Sequence, residues 1–398
     1  MMPWIRPILV ALLFSLNSFV CGDVLRIEPY AQWTFDAPLE RIIYRSNSSG
    51  FPIKYTINPH HITYYDSLGN KVFQYERTPG DAFQMNEDES AFMLVQQHES
   101  NQADNPQRLY SFQVYDFEGK PAYTHVHSVE SGDKGLRYEL TKQKSLLLSD
   151  SGQPWILEVS DEDTLLFMPS VVGEVTQDCD LIFVSDKLNH RNEMVTASSC
   201  LEDIDPDSMS LELRLWIHDI PLGEPVVIPG RLAGLKSLSG TDYYFLEIDY
   251  GFESSLTLFN RDNMLGKFPW KTWDIRSLDQ SAAFVISESD LNVVNLGDGS
   301  LISSFHPIDI STISDATYLP EWGLYLYIRY EPFFTESGQQ AYRKFELEGV
   351  NKTGRIAHRS SFGSWSTSLP KLSQIQKDLF AIHIHNAVLL YRVELERN

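Results

Sequence analysis

The sequence predicts an all-β chain built from repeated antiparallel units, and three observations carry that reading. Short runs of apolar and aromatic residues recur along the chain at strand spacing, and no long stretch has a convincing 3.6-residue apolar period. Polar turns closed by glycine separate many of these runs, as in Asp66–Gly69 and Asp116–Gly119. Aromatic residues make up 12 % of the chain, a share that suits the pleated, half-buried surface of strands.

Taken in order, the first segment lies outside the fold. Residues 1–22 read MMPWIRPILVALLFSLNSFVCG, with Arg6 as a short positive region and an apolar stretch from Ile8 to Val20. Val20 and Gly22 sit at −3 and −1 of a cleavage point before Asp23, so the segment reads as a secretory signal peptide. The apolar run falls short of the roughly 20 residues a membrane span needs, and no later stretch is long and uncharged enough. The mature chain is therefore expected to be residues 23–398, exported to a periplasm or the extracellular space without a transmembrane span. Cys21 offers a rival reading as a lipid-modified cysteine. Ser18 and Val20 occupy the places where that signal wants leucine and a small residue, which disfavours it.

The units that follow share one form: an apolar strand, a polar turn and a second strand. ITYYD-SLG-NKVFQY (62–75) and FQVYD-FEG-KPAYTHV (112–126) are the first two, followed by LTLFN-RDNMLG-KFPW (256–270), LNVVN-LGDG-SLISSF (291–305) and YRKFELE-GVNKTG-RIAH (342–358). Asp opens such a turn by accepting hydrogen bonds from the backbone ahead of it, and Gly takes the positive-φ position that closes it. Asp66, Asp116, Gly69 and Gly119 are thereby explained by turn geometry. Another strand precedes most of these hairpins: ESAFMLVQQ (89–97), TDYYFLEIDY (241–250), SAAFVISES (281–289) and WGLYLYIRY (322–330). Four strands every roughly 40–50 residues is the period of a β-propeller blade.

On SAAFVISESDLNVVNLGDGSLISSF (281–305) and the closing DLFAIHIHNAVLLYRVEL (378–395), the chain resembles the broad class of β-propellers related to Trp-Asp-repeat and quinone-binding propellers. The likeness is one of pattern over most of residues 60–395. It implies a single extracytoplasmic propeller of seven or eight four-stranded blades, counted from the units. The last unit stops at Asn398 before an outer strand could form, and VLRIEPY (24–30) is a good strand. This strand is expected to complete the last blade and close the ring. An inserted acidic loop is expected at about 186–210, around EDIDPDS (202–208).

Candidate sites are few. After removal of Cys21, Cys179 and Cys200 remain, and an even count in an exported chain permits a disulfide. A hairpin centred on Asn189-His190 would set the two cysteines opposite each other, although arms this long seldom keep register without a bulge. Asp203, Asp205 and Asp207 alternate like the start of a calcium loop, but Pro206 interrupts them and Arg214 stands where the closing acid belongs. A solvated acidic loop is the preferred reading, and no cofactor is expected. His125-Val126-His127 and His383-Ile384-His385 each put two imidazoles on one face of a strand, in distant units. FGSWS (362–366) lacks the second glycine of a nucleophile elbow, and no phosphate loop or zinc cysteine set occurs.

Asp and Glu number 54 against 32 Lys and Arg, a formal charge of −22. Such a surface repels phosphate backbones and anionic lipid, so nucleic acid is not an expected partner. Two function classes remain. One is a monomeric, non-catalytic binding or scaffold propeller that holds a protein, peptide or glycan through loops on one face. The other is a propeller hydrolase or lyase with a polar site at the central channel. The missing catalytic motifs favour the first. A polar cluster with shifted pKa values would favour the enzyme, and an exposed aromatic patch would favour the partner surface.

Overall fold

The structure, a computed structural model, describes residues 24–45, 50–78, 81–86, 90–99, 107–116, 119–130, 136–140, 146–150, 153–159, 165–169, 179–184, 195–200, 210–217, 220–229, 231–238, 241–250, 253–260, 263–363 and 365–396. The signal segment 1–22 and the Asp203, Asp205 and Asp207 run lie outside these residues. Among the described residues the only helical turns are the three-residue 3-10 segments Ile310–Thr312 and Pro320–Trp322. Everything else regular is strand, as the strand-period pattern predicts.

The strands form separate antiparallel sheets, each a meander of consecutive strands: 41–76, 82–130, 137–169, 179–229, 231–268, 272–305 and 313–361. A last sheet, 371–396, takes its fourth strand from the start of the chain. Val24–Thr34 pairs with Ala387–Glu396, from Val24 opposite Glu396 to Thr34 opposite Ala387. The expected joining of the chain ends is therefore present, and it runs beyond residue 30. Ring closure by this strand needs one correction. Ladder hydrogen bonds end at the edges of each sheet among the described strands, so no ring is closed by them. Sheets that meet face to face are joined by side chains instead.

The turns follow their sequence signals. The Asp66 carboxylate accepts from the N–H groups of Leu68 and Asn70 at 2.9 and 2.8 Å, and Gly69 has φ 87°. Asp116 accepts from the Lys120 N–H at 2.8 Å, with Gly119 at φ 82°. Asn351 does the same with Thr353 and Arg355, before Gly354. A second repeated device was not legible. The first strands of four successive sheets carry a register irregularity near their start, between Cys179 and Leu181, Leu232 and Gly234, Thr272 and Asp274, and Ile313 and Asp315. Such a bulge bends the strand and strengthens its twist.

Two compact units divide the described chain. One contains the residues up to Asn58, Tyr64–Val72 and those from Ser311 onward; the other contains Pro59–Thr63 and Phe73–Ile310. In the first unit, sheet 313–361 packs on the sheet of the chain ends through Leu326, Ile328, Phe345, Leu347, Phe380, Ile382 and Ile27. Leu324–Ile328 is buried on both faces, which a reading of one-sided alternation would not anticipate. Each such side chain contributes about 1.5–3 kcal/mol by leaving water. In the second unit, Met93, Val95, Phe112 and Val114 pack against Leu140, Leu146 and Leu148 of the next sheet.

The region expected as an inserted loop at about 186–210 is corrected in its extent. Val195–Cys200 is a strand, paired on one side with Cys179–Val184 and on the other with Ser210–Ile217. A four-stranded sheet needs a second strand between those two, and VTASSC provides it. The remaining parts of that expected loop, 186–194 and 201–209, lie outside the described residues.

Candidate functional site

Cys179 and Cys200 are register partners in this sheet. The hairpin reaches that register through the irregularity at Asp180, the kind of bulge that an arm of this length calls for. His125 and His127 lie on one face of Pro121–Glu130, with ring centroids 6.3 Å apart. That face is turned to the sheet core: His125 stacks against Phe112 at 6.4 Å. Burial, and secondarily the charge of His127, lowers the His125 pKa. His383 and His385 belong to the other unit and are bound up in a hairpin turn. The Nε2 of His383 lies 3.2 Å from the His385 carbonyl oxygen, and His385 takes φ 54°. The two His-x-His pairs are not brought together by either unit. Among the described residues no group of three His, Cys, Asp or Glu side chains is placed to hold a metal ion.

One polar cluster sits deep in sheet 313–361. Glu348 is 2 % exposed. Its Oε2 accepts from the Tyr327 hydroxyl at 2.6 Å and from Arg329 Nε at 3.2 Å, and Arg359 approaches Oε1 at 2.7 Å. Burial pushes the Glu348 carboxyl up, but the Tyr327 and Arg329 hydrogen bonds and the two guanidinium charges outweigh it and hold it below its ordinary value. The carboxylate is thus spoken for by the two strands that flank its own. Asp315 plays a related part: its carboxylate accepts from the N–H of Ala316 at 2.8 Å and of Leu372 at 2.7 Å, tying one sheet to the next within the unit.

One solvent-facing feature of the unit is the hairpin that extends beyond this cluster. Leu324–Phe334 and Gln340–Asn351 are 11 and 12 residues long. The neighbouring strand stops where Ile313 meets Arg329, so Glu331–Phe334 pairs only with Gln340–Arg343. A kink separates this distal ribbon from the sheet, where the register shifts between Arg329 and Glu331 and Lys344 adopts φ 53°. A left-handed backbone at a non-glycine residue costs roughly 1–2 kcal/mol, and the surrounding pairing sustains it. Trp365–Ser366 then pairs with Tyr342 and Arg343, widening the ribbon to three strands.

This ribbon carries aromatics outward. Phe334 is 73 % and Trp365 54 % exposed. Phe333 meets Trp365 edge-on at 6.4 Å, and the Arg343 guanidinium lies 5.2 Å from the Phe333 ring. Arg343 Nε also donates to Glu331 at 3.1 Å, and Lys344 pairs with the same carboxylate. On the opposite side Tyr330 and Tyr342 pack at 5.2 Å. Sequence reading placed strands at 322–330 and 342–358 but not the ribbon between them. The signal was the apolar run continuing through Glu331-Pro332-Phe333-Phe334, too long for a strand that ends with its neighbour.

No protein-family model matches the sequence, and no curated protein does. Solved structures do. The WD40 domain of SCAP from fission yeast aligns with a TM-score of 0.50 at 11 % identity, over 92 % of this chain and 94 % of that one. The Dos1 propeller aligns at 0.48 with 9 % identity, over 92 % and 95 %. The Cps50 (Swd1) beta-propeller domain of Myceliophteria thermophila aligns at 0.46 with 8 % identity, over 92 % and 100 %. Identity this low speaks to fold alone. The SCAP alignment together with the succession of four-stranded antiparallel meanders shows an all-β fold of the β-propeller type.

Proposed function

We propose that the chain is an exported, non-catalytic binding propeller that engages a protein or peptide partner from one end of its sheets. The observation that carries this reading is the aromatic ribbon, which holds Phe334 and Trp365 in solvent beyond the sheet that supports it. Exposed aromatic and Arg side chains on a rigid support are the residue types that dominate partner binding. The WD40 domain among the similar folds agrees with a binding role, and β-propellers also host enzymes. The Glu348 cluster weighs against the enzyme reading as the polar site, because its carboxylate is enclosed and already paired with Tyr327, Arg329 and Arg359.

Export rests on the signal reading of residues 1–22, and a Cys179–Cys200 disulfide would accompany it. The backbone register that sets the two residues opposite each other supports that bridge. Mass spectrometry of alkylated, non-reduced protein from the exported fraction decides it, with two free thiols as the contrary result.

For the binding role, a photo-crosslinking side chain placed at Phe334 in the native host should capture a defined partner. The adduct should vanish on Trp365→Ala. Turnover of a polysaccharide or peptide panel, abolished by one channel substitution, would instead establish the hydrolase or lyase.

A further inference from the structure

The first unit gathers positive charge beside the ribbon. At Gly363, φ 65°, an added Cβ would lie 3.6 Å from Phe345 at the ribbon base and 3.9 Å from Ile384, which leads into the His385 turn. The carbonyl of His385 accepts from the Leu39 N–H at 2.8 Å, which brings the start of Arg41–Tyr44 to the same place. Lys371 is the register partner of His383. Arg41, Lys371, His383 and the base of the ribbon therefore share one end of the unit.

Among the described residues neither Arg41 nor Lys371 forms an ion pair, in a chain where acids outnumber bases 54 to 32. Arg343 and Lys344 share the single carboxylate of Glu331, leaving one positive charge over. The Asp315 carboxylate is taken up by two backbone N–H groups. Partial burial lowers Arg41, and burial together with the charge of Lys371 lowers His383 against the hydrogen bond to the His385 carbonyl. An anion at this end would relieve both.

The ribbon supplies the apolar half of the site and limits how it is used. Pro332 lacks a donor on the outer strand, which blunts that edge against strand addition. Docking is left to the faces, where Trp365, Phe333 and Phe334 offer aromatic surface beside Arg343.

We propose that this end of the unit binds an acidic segment of a partner protein, with an apolar or aromatic anchor seated on Trp365 and Phe333 and carboxylates reaching Lys371 and Arg41. The proposal rests on the binding reading above and names the partner's chemistry. The local excess of cations in an otherwise acidic molecule makes the encounter specific in place, because carboxylates are repelled elsewhere on the surface.

The test is selection of a displayed random twelve-residue peptide library on the purified chain from Asp23 onward, counter-selected against the Trp365→Ala/Lys371→Glu double variant. Enriched peptides should be net acidic with one apolar anchor. Their affinity should fall at least tenfold on Lys371→Glu, on Arg41→Glu and on Trp365→Ala separately, and should weaken as salt is raised. The three residues are surface-exposed or half-exposed, and matching thermal melts show that each variant is folded. Enrichment of neutral or basic peptides, or the absence of any peptide sensitive to the double variant, overturns the proposal. A partner crosslinked from Phe334 that still binds the Lys371→Glu and Arg41→Glu variants would overturn it while leaving the binding function intact. Loss of every crosslink would remove the binding function itself.

Discussion

The hairpin of Leu291–Asn295 and Leu301–Phe305 and the hairpin of Leu324–Phe334 and Gln340–Asn351 begin alike and end differently. Both start in a strand that is buried along its first residues, LNVV in one and LYLYI in the other. The first closes after five residues. Asn295 accepts from the Gly297 N–H at 2.8 Å, and Gly299, at φ 69°, lies so close to Leu265 that a Cβ would stand 2.4 Å from its carbonyl oxygen. The second runs on past its neighbour and kinks at Lys344. Leu291, Val293 and Val294 are core along the whole first strand of one, whereas the first strand of the other begins in core and ends with Phe334 in solvent. What decides is where the adjacent strand stops, which is a property of the register and not of the hairpin's own composition.

The comparison predicts large stability effects wherever a segment is sealed by a neighbour. The largest is expected from deleting residues 24–30, which strips the outer strand from the sheet of the chain ends and removes Ile27 from its core. The melting temperature should fall by roughly 10 °C or more. An unchanged calorimetric melt would mean that the two chain ends are not joined as described.

Glu348→Ala comes next, at about 3–5 kcal/mol, because it leaves the buried Tyr327 hydroxyl and the part-buried Arg329 without their acceptor. The sign with pH follows from a carboxyl held below its ordinary value in the fold. Its contribution is present above the unfolded carboxylate pKa and is lost as pH falls through the lower folded value. Denaturation curves of the parent and Glu348→Gln should therefore converge on acidification. Curves that stay parallel down to strongly acidic pH would show that the charge of Glu348 does not matter.

Gly299→Ala sharpens the other side of the comparison. The positive φ costs roughly 1–2 kcal/mol and the contact with the Leu265 backbone roughly 1–3 kcal/mol more. A loss of about 2–5 kcal/mol in urea titration is expected. Gly338→Ala in the tip of the ribbon also carries a positive φ, 78°, but a Cβ there meets nothing within 4 Å. It should show the φ cost alone, and equal losses at the two glycines would refute the packing account.

Much of this was legible because it is local. Asp66 with Gly69 and Asp116 with Gly119 announce their turns through the chemistry of a carboxylate and a missing Cβ. Strand 24–30 declared itself by pattern, and the unfinished last unit supplied its partner. Cys179 opposite Cys200 followed from symmetric counting plus a bulge. The Glu348 cluster did not, because it joins residues 327, 329, 348 and 359 across three strands whose register no single segment encodes. Arg41 and Lys371 were equally hidden: they lie 330 positions apart in the sequence and in two different sheets, and only the contact of Leu39 with the His385 turn puts them at one end of the unit. The ribbon was half visible, as apolar pattern without a boundary.

The smallest effect on stability is expected in the distal ribbon itself, and it is the sharpest check of the comparison. Phe334→Ser and Trp365→Ala remove large aromatic rings, and in the sealed hairpin such truncations would cost about 3–5 kcal/mol. Phe334 and Trp365 are mostly in solvent, so each should change unfolding free energy by no more than about 0.5 kcal/mol. Amide hydrogen exchange should report the same boundary. Tyr325–Ile328, paired on both sides, should exchange only with global unfolding, whereas Glu331, Phe333 and Phe334, paired on one side alone, should exchange through local opening. Slow exchange throughout the ribbon, or a core-sized loss on Phe334→Ser, would mean that this surface is already covered in the free chain and unavailable to a partner.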